Sequence, residues 1–218
     1  MALRLLVLGP PGAGKGTQAL RIARDHGVPK ISTGDMLRDA VTSGSPLGVL
    51  IRETMAQGQL VSDDAIVALV RERLHDDDAQ KGFVLDGFPR TVAQANALDG
   101  LLKGSALAVV EIQVPDEELV RRVRGRRICE RCGTTVSAFD GDPALAQECK
   151  TCGGRLVQRS DDSETVVRDR LKVYWRETQP VIGFYEDRPT FRRVDGSVAP
   201  VDVYAAIAAA VASVSAER

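Results

Sequence analysis

The residues with the clearest chemical potential lie near the start of the chain, where glycines surround a lysine. Residues 9–17 read Gly-Pro-Pro-Gly-Ala-Gly-Lys-Gly-Thr and follow an apolar run at 3–8. Glycines let the N–H groups of such a loop point inward at a phosphate chain, and the following helix adds its positive N-terminal end. Lys15 is placed to reach the β- and γ-phosphates of a nucleoside triphosphate. The stretch therefore predicts a phosphate-binding loop.

This loop departs from the general pattern at one position. Gly16 stands where a hydroxyl residue is usual, and Thr17 follows one residue later. A flexible surface loop is the alternative, but it gives no reason for a lysine between two glycines at a helix start. We expect the triphosphate to be bound by Gly12, Ala13, Gly14, Lys15, Gly16 and Thr17.

The four cysteines of the chain form a second candidate site. They follow the spacing Cys-x2-Cys-x16-Cys-x2-Cys, at Cys129, Cys132, Cys149 and Cys152. Two intervening residues let both thiolates of a pair reach one tetrahedral ion at about 2.3 Å. Two disulfides are the alternative, which a cytoplasmic location disfavours. The spacing predicts one structural zinc, closed to substrate because cysteines fill all four coordination positions.

Composition restricts the class of protein. The chain has 218 residues, of which 44% are hydrophobic, and this fits one globular unit with a sizeable core. A net charge of −1 argues against binding nucleic acid through bulk charge. No apolar run approaches the roughly 18 residues of a membrane span, and the first apolar run ends in the glycine loop. We therefore expect a cytoplasmic protein with neither a nucleic acid nor a membrane as partner.

Strand and helix patterns alternate along the chain, and this indicates an α/β fold. Strands that read as continuous apolar runs are buried on both faces, as in a parallel sheet between helices. Strand patterns cover 3–8, 29–31, 83–86, 108–114 and 190–194. Helical patterns cover 15–26, 33–43, 46–57, 63–75, 91–102, 116–124, 163–185 and 201–215.

Three of the polar segments directly follow predicted strands. These are the glycine loop, 32–35 and 86–90. Ligands of parallel sheets bind at the carboxyl ends of the strands, so the three segments should meet at one cleft. Only 129–155, which contains the cysteines, breaks the alternation of strand and helix.

Taken together, these motifs resemble the adenylate kinase family, in the long form whose lid carries a zinc knuckle. The resemblance covers essentially the full length, at 9–17, 31–38, 58–61, 86–94, 125–127 and 161–168. It implies a P-loop fold with a parallel five-stranded sheet flanked by helices. It also implies a core of 1–31, 62–125 and 163–218, a helical AMP-binding insertion at 32–61 and a zinc-binding lid at 126–162.

The resemblance implies reversible, Mg²⁺-dependent transfer of a phosphoryl group from ATP to AMP, giving two ADP, by a monomer. Such transfer needs no protein nucleophile, because the attacking phosphate is already anionic, and catalysis consists of positioning and charge neutralisation. We accordingly expect His26 and His75 to be surface residues. Closure of the insertion and of the lid would exclude water from the site.

Site residues follow from the same resemblance. Arg122 would stack near the adenine of ATP, and Arg38 would hold the phosphate of AMP. The implied catalytic residues are Lys15, Arg90, Arg126, Arg159 and Arg168, and the implied ATP contacts add Arg122 and Arg126 to the loop. The implied AMP contacts are Thr33, Arg38, Gln59, Leu60, Val61, Gly87, Phe88, Pro89, Arg90, Gln94, Arg159 and Arg168.

Asp35 and Asp86 are the carboxylates nearest the loop, and they would hold Mg²⁺ through water. For Asp35 the alternative is a helix-capping role in the turn at 32–35. Arg121, Arg124 and Arg131 are expected to be solvated.

Two other functions remain as alternatives. One is a kinase for another monophosphate, such as UMP or CMP, although Thr91 and Gln94 favour adenine. The other is a zinc-ribbon protein that binds nucleic acid or acts as a scaffold, with ATP as a switch. The near-neutral charge and the single aromatic of the ribbon, Phe139, argue against it.

Overall fold

The computed structural model describes residues 2–137 and 148–216. Phe139, the aromatic residue of the ribbon named above, lies outside the described residues. We number the strands in chain order. They are β1 (Arg4–Leu8), β2 (Lys30–Ser32), β3 (Phe83–Asp86), β4 (Ala108–Gln113), β5 (Arg126–Cys129), β6 (Thr135–Ser137), β7 (Leu156–Val157) and β8 (Phe191–Asp195).

The helices of the described residues are numbered in the same way. They are α1 (Lys15–Asp25), α2 (Thr33–Ser43), α3 (Pro46–Ala56), α4 (Asp63–Leu74), α5 (Asp77–Gln80), α6 (Val92–Leu102), α7 (Asp116–Arg124), α8 (Glu164–Val173), α9 (Gln179–Tyr185) and α10 (Pro200–Ala216). None of them is long and apolar enough to cross a membrane.

Five of the described strands form one parallel sheet in the order β2-β3-β1-β4-β8. Alternate residues of β1 face opposite sides, so Leu6 and Leu8 belong to one buried cluster while Leu5 and Val7 belong to the other. Burial on both faces explains why the strands read as continuous apolar runs. The predicted α/β fold with a parallel five-stranded sheet flanked by helices is confirmed.

The register of the sheet aligns the ends of three strands. Val7 of β1 and Ser32 of β2 both lie beside Asp86 at the end of β3. The glycine loop, the start of α2 and the segment after β3 therefore leave the sheet at one edge. The predicted meeting of these three segments is confirmed.

The segment 126–162 contains a small antiparallel sheet in the order β6-β5-β7. No strands are predicted here from the sequence. These strands have two to four residues and, unlike β2 and β3, lie where the alternation of strand and helix is broken; α5, with four residues, is too short for a helical period to be recognised.

The predicted single helix at 163–185 is divided in the structure. A π-helical turn at Tyr174–Thr178 separates α8 from α9. Pro180, at the start of α9, has no N–H to donate to the turn before it, and a wider turn accommodates that loss.

Candidate functional site

The glycine loop folds around the side chain of Lys15. The Lys15 ammonium donates to the carbonyl oxygens of Gly9 at 2.6 Å and Pro10 at 2.8 Å. Gly12 has a φ of +92°, and a Cβ there would lie 2.9 Å from the Leu119 carbonyl oxygen of α7. Glycine is therefore required at this position both by its conformation and by the close approach of α7.

Burial lowers the pKa of Lys15 to about 7, and the nearby Arg90, Arg170 and Arg126 add to this effect, while Asp86 opposes it. Asp86 does not compensate for the burial of the ammonium and for the cations around it. An anionic phosphate chain in the cleft would supply that charge and raise the pKa again.

Two adjoining pockets open at the carboxyl edge of the sheet. The first is lined on one side by Gly9, Pro11 and Lys15, and on the other by the π-helical turn. The second lies against α2 and the segment 58–61, and its lining includes Thr33, Arg38, Gln59, Leu60, Val61 and Gln94. The residues shared by both linings are Gly58, Leu60, Gly87, Arg90 and Arg170.

Arg90 and Arg170 therefore stand where the two pockets meet. Arg90 donates through Nε to the Gly87 carbonyl oxygen at 2.9 Å, and burial lowers its pKa. Burial also lowers the pKa of Arg170 to about 10, although the carboxylate of Asp161, 2.9 Å away, opposes the shift. Such buried guanidinium groups suit bidentate contacts with phosphate oxygens.

Two further arginines enter the cleft from the lid. Arg126 donates through Nε to Asp162 at 2.7 Å, and that carboxylate is fully buried. Arg159 lies 3.8 Å from Asp35, and its buried Nε has no hydrogen-bond partner in the described part of the chain. Burial, with Arg38 and Arg126 nearby, lowers the pKa of Arg159 to about 10.

Arg168 is not brought to the cleft, and this corrects the expectation for it. Its side chain is 60% exposed and pairs with Glu164 one turn earlier on α8. Arg170, two residues later, lies on the buried side and lines both pockets. Arg170 is not predicted from the sequence, because the side of α8 that each member of the charged run 168–170 faces depends on the elements packed against α8.

The remaining predicted ATP contacts are not among the residues that line the first pocket. Arg122 donates to Glu118 at 2.9 Å and to the Gly196 carbonyl oxygen, after β8, at 2.8 Å. Gly14 and Thr17 are exposed. Gly12, Ala13 and Gly16 flank Lys15 in the chain, and Lys15 itself lines the pocket. Phe88 is fully buried, and Pro89 joins it in the wall of the first pocket.

Asp35 and Asp86 face a common cation, the ammonium of Lys30. Its Nζ lies 2.8 Å from Asp35 Oδ2 and 3.9 Å from Asp86 Oδ2. Although burial opposes ionisation, Lys30 and Arg38 hold the pKa of Asp35 well below its usual range. The two carboxyl groups beside the phosphate loop offer the oxygen ligands that Mg²⁺ requires.

The alternative role for Asp35, helix capping, is wrong. Ser32 Oγ accepts the backbone N–H of Asp35 at 3.3 Å and caps α2. The Asp35 carboxylate therefore pairs with the cations of the cleft, Lys30 and Arg38. It lies in the first turn of α2, where the helix dipole also favours negative charge.

The four cysteine sulfurs lie within 4.8 Å of one another. Sγ of Cys129 is 3.5 Å from that of Cys152, and Sγ of Cys132 is 3.6 Å from that of Cys149. A disulfide would hold two sulfurs at about 2.0 Å, whereas the edges of a tetrahedral zinc–thiolate site measure about 3.8 Å. The arrangement fits one metal ion and excludes the two-disulfide alternative.

Both halves of this cluster use the same backbone turn. The N–H of Gly133 donates to the Cys129 carbonyl oxygen at 3.0 Å, and the N–H of Gly153 donates to that of Cys149 at 2.7 Å. Both glycines have φ near +70°. A Cβ on Gly154 would lie 2.8 Å from Cys129 Sγ, so the chain passes the cluster closely.

Comparison with known proteins is consistent with this geometry. The family model for adenylate kinase matches residues 7–190. The chain is 48% identical to an adenylate kinase of Archaeoglobus fulgidus over 89% of its length and 91% of the relative. It is also 48% identical to an adenylate kinase of Trichlorobacter lovleyi, over 95% of its length and 99% of the relative. The chain belongs to the adenylate kinase family.

Members of the adenylate kinase family are nucleoside monophosphate kinases, and the chain is a phosphotransferase of this class. The known reaction of the family converts ATP and AMP into two ADP. The four clustered cysteines fit the long form of the family, whose lid binds zinc.

Proposed function

We propose that the chain transfers the γ-phosphoryl group of ATP directly to the phosphate of AMP, giving two ADP reversibly, at the junction of its two pockets. The observation that carries this proposal is that Arg90 and Arg170 line both pockets. The pocket with Lys15 is assigned to ATP, and the pocket with Gln94 to AMP.

The proposed catalytic groups are all cations. The attacking phosphate of AMP is already anionic, so an in-line displacement needs neither a nucleophile nor a base from the protein. What it needs is neutralisation of charge on the transferring group and on both nucleotides. We assign this role to Lys15, Arg90, Arg126, Arg159 and Arg170.

The two nucleotides are proposed to be held by different elements. On the ATP side, N–H groups of the loop would hold the phosphates, at Gly12, Ala13, Gly14, Gly16 and Thr17, and Arg122 would lie near the adenine. On the AMP side, Arg38 would hold the phosphate, while the base would contact Thr33, Gln59, Leu60, Val61, Gly87 and Gln94.

Two metal ions complete the proposal. Asp35 and Asp86 would hold Mg²⁺ through water, and the bound ion would supply charge neutralisation at the phosphates. The four cysteines would hold one structural zinc, which would stabilise a segment too small to fold on a core of its own.

The segments 32–61 and 126–162 are proposed to close over AMP and ATP respectively, on a core of 1–31, 62–125 and 163–218. Closure would bring Arg126 and Arg159 onto the phosphates and exclude water, so that ATP is not hydrolysed. We further propose that the protein acts as a cytoplasmic monomer, with ATP, AMP and ADP as its ligands.

A coupled assay with ATP and Mg²⁺ tests this function. Conversion of AMP should be at least about tenfold more efficient than that of CMP, UMP or GMP, because buried polar groups reject a base that leaves them unpaired. Preferred turnover of a pyrimidine monophosphate would support the other kinase alternative. Retardation of nucleic acid in a gel at low salt, without AMP turnover, would support the zinc-ribbon alternative.

A further inference from the structure

The side chain of Gln94 is held on both sides by the protein itself. Its Nε2 donates to Asp63 Oδ1 at 2.7 Å, and its Oε1 accepts the backbone N–H of Arg90 at 2.7 Å. Gln94 is 2% exposed and lines the second pocket. Turning the amide over would place its oxygen against a carboxylate and its NH₂ against an N–H, so one orientation is enforced.

Asp63 is well placed to enforce that orientation. It lies in the first turn of α4, and its second oxygen, Oδ2, accepts the hydroxyl of Thr91 at 2.9 Å. Thr91 caps α6 by accepting the N–H of Gln94 at 3.1 Å. Asp63 therefore joins the starts of two helices and holds the amide that one of them presents to the pocket.

The fixed amide keeps one N–H and one direction of its oxygen free for a ligand. Adenine offers an acceptor at N1 and a donor at its 6-amino group, which match that pair. Hypoxanthine offers a donor at N1 and an acceptor at O6, which would match the amide only after it is turned over. Discrimination between these bases thus depends on the contacts that prevent the Gln94 amide from turning over.

We propose that Asp63 is a positioning residue that fixes the Gln94 amide in the orientation that selects AMP over IMP. This inference rests on the proposed function only in assigning the monophosphate to the second pocket. Asp63 acts through Gln94 and does not touch the nucleotide. The backbone N–H of Arg90 acts from the other side, so the residue that clamps phosphates also helps to orient the base reader.

The test compares kcat/KM for AMP and for IMP in three variants. Asp63→Ala should lower the AMP-to-IMP ratio by about tenfold, the equivalent of one lost hydrogen bond of about 1.4 kcal/mol. The change should appear in the KM for the monophosphate while the KM for ATP stays constant. Asp63→Asn keeps an oxygen for Gln94 Nε2 and should retain most of the ratio.

Asp64→Ala is the matched control, because Asp64 is an exposed carboxylate in the same first turn of α4. This variant removes the same charge from the start of the helix but leaves the Asp63–Gln94 hydrogen bond intact. Its AMP-to-IMP ratio of kcat/KM should therefore equal that of the wild type. If Asp63→Ala does not fold, Asp63→Ser replaces it, since serine keeps a polar side chain in the first turn of α4 but is too short to reach Gln94.

Calorimetric binding of AMP and IMP without ATP gives a second readout that is independent of phosphoryl transfer. An unchanged AMP-to-IMP ratio in folded Asp63→Ala overturns the proposal, and so does an equal loss in Asp63→Asn or Asp64→Ala. A wild-type protein that binds AMP over IMP but makes no ADP would contradict the proposed function and leave the role of Asp63 testable by binding.

Discussion

At the scale of single residues, the cleft holds more positive charge than its own carboxylates balance. Lys15, Arg90, Arg159 and Arg170 all have pKa values lowered chiefly by burial. Arg159 even keeps a buried Nε without a partner in the described part of the chain. Groups of this kind are costly until anions arrive, and two nucleotides supply those anions.

The first prediction compares two arginines of α8. Arg170→Ala should lower kcat by about a hundredfold or more, because a charge contact at the junction of the pockets is lost. Arg168→Ala should change kcat by less than about twofold, since that side chain pairs with Glu164 in solvent. Steady-state kinetics at saturating ATP and AMP measure both. The reverse order of effects would restore the original assignment of Arg168.

The second prediction concerns the charge of Lys15. Its pKa of about 7 leaves the ammonium increasingly neutral in the free protein as pH rises above 7, and bound triphosphate would raise the pKa. ATP binding at pH 8 should therefore take up protons, and its affinity should fall between pH 7.5 and 9. Calorimetry in buffers of different ionisation enthalpy measures the uptake.

Lys15→Arg supplies the control for this effect, since a guanidinium stays charged throughout that range. Its ATP binding is expected to be weaker but to take up fewer protons than that of the wild type. Equal proton uptake by the two proteins would assign the titration to another group.

At the scale of elements, the sequence predicted the parallel sheet and its main helices to within one or two residues at most ends. β3, α2 and α7 have the predicted bounds, because a buried strand and two well-marked helix starts leave few choices. The lid strands, α5 and the π-helical turn were missed, since each depends on contacts rather than on periodicity. The chemistry of the loop and the cysteine spacing were readable because they are local.

Roles that depend on three-dimensional contacts are less readable from the sequence. Capping by Asp35 was a reasonable alternative from sequence, yet Ser32 takes the cap and Lys30 takes the carboxylate. The side of α8 that faces the cleft is decided by packing against the rest of the fold, so Arg168 was chosen in place of Arg170. The part played by Asp63 needs the juxtaposition of α4 and α6, whose starts are far apart in sequence.

The third prediction concerns the cysteine cluster of the lid. Purified protein should contain about one zinc per chain, and Cys149→Ala should lose it and melt at a lower temperature, because metal binding contributes to folding of the lid. At low temperature kcat should survive far better than heat resistance, since no coordination position is left for substrate. Elemental analysis, thermal unfolding and kinetics measure these quantities.

Lys150→Ala is the matched control for Cys149→Ala, because it alters the exposed neighbour of a ligand within the same turn. It should keep both the zinc and the melting temperature. Absence of a bound transition metal from the wild type would contradict the structural-zinc assignment. Loss of turnover on metal removal while the lid stays folded would contradict its separation from the chemistry.

At the scale of the whole molecule, the lid and the insertion meet through charged groups at the cleft. Arg159, next to the lid's 3₁₀ turn at Ser160–Asp162, faces Asp35 of α2, and Asp161 lines the second pocket beside Arg170. The Arg159–Asp35 contact is long, at 3.8 Å, and Asp161 pairs with Arg170 of α8 at 2.9 Å. A phosphate chain between them would contact both segments, and this would couple ligand binding to the proposed closure.

The last prediction is that this arrangement trades stability for activity, with Arg159 as the measurable case. Burial lowers its pKa from the ordinary value to about 10 in the folded protein, so the charged side chain disfavours folding at every pH below 10. Arg159→Gln should therefore raise the melting temperature of the ligand-free protein by roughly 2–4 °C, the equivalent of about 1 kcal/mol. The same variant should lower kcat, and ATP with AMP should stabilise it less than they stabilise the wild type.

Calorimetric melting with and without both nucleotides measures these differences in stability. Arg52→Gln, at an exposed site on α3, is the control that should change neither the melting temperature nor its increase with nucleotides. If Arg159→Gln melts no higher than the wild type without nucleotide, the buried charge is not a burden on the free protein, and its low pKa must be offset by contacts elsewhere.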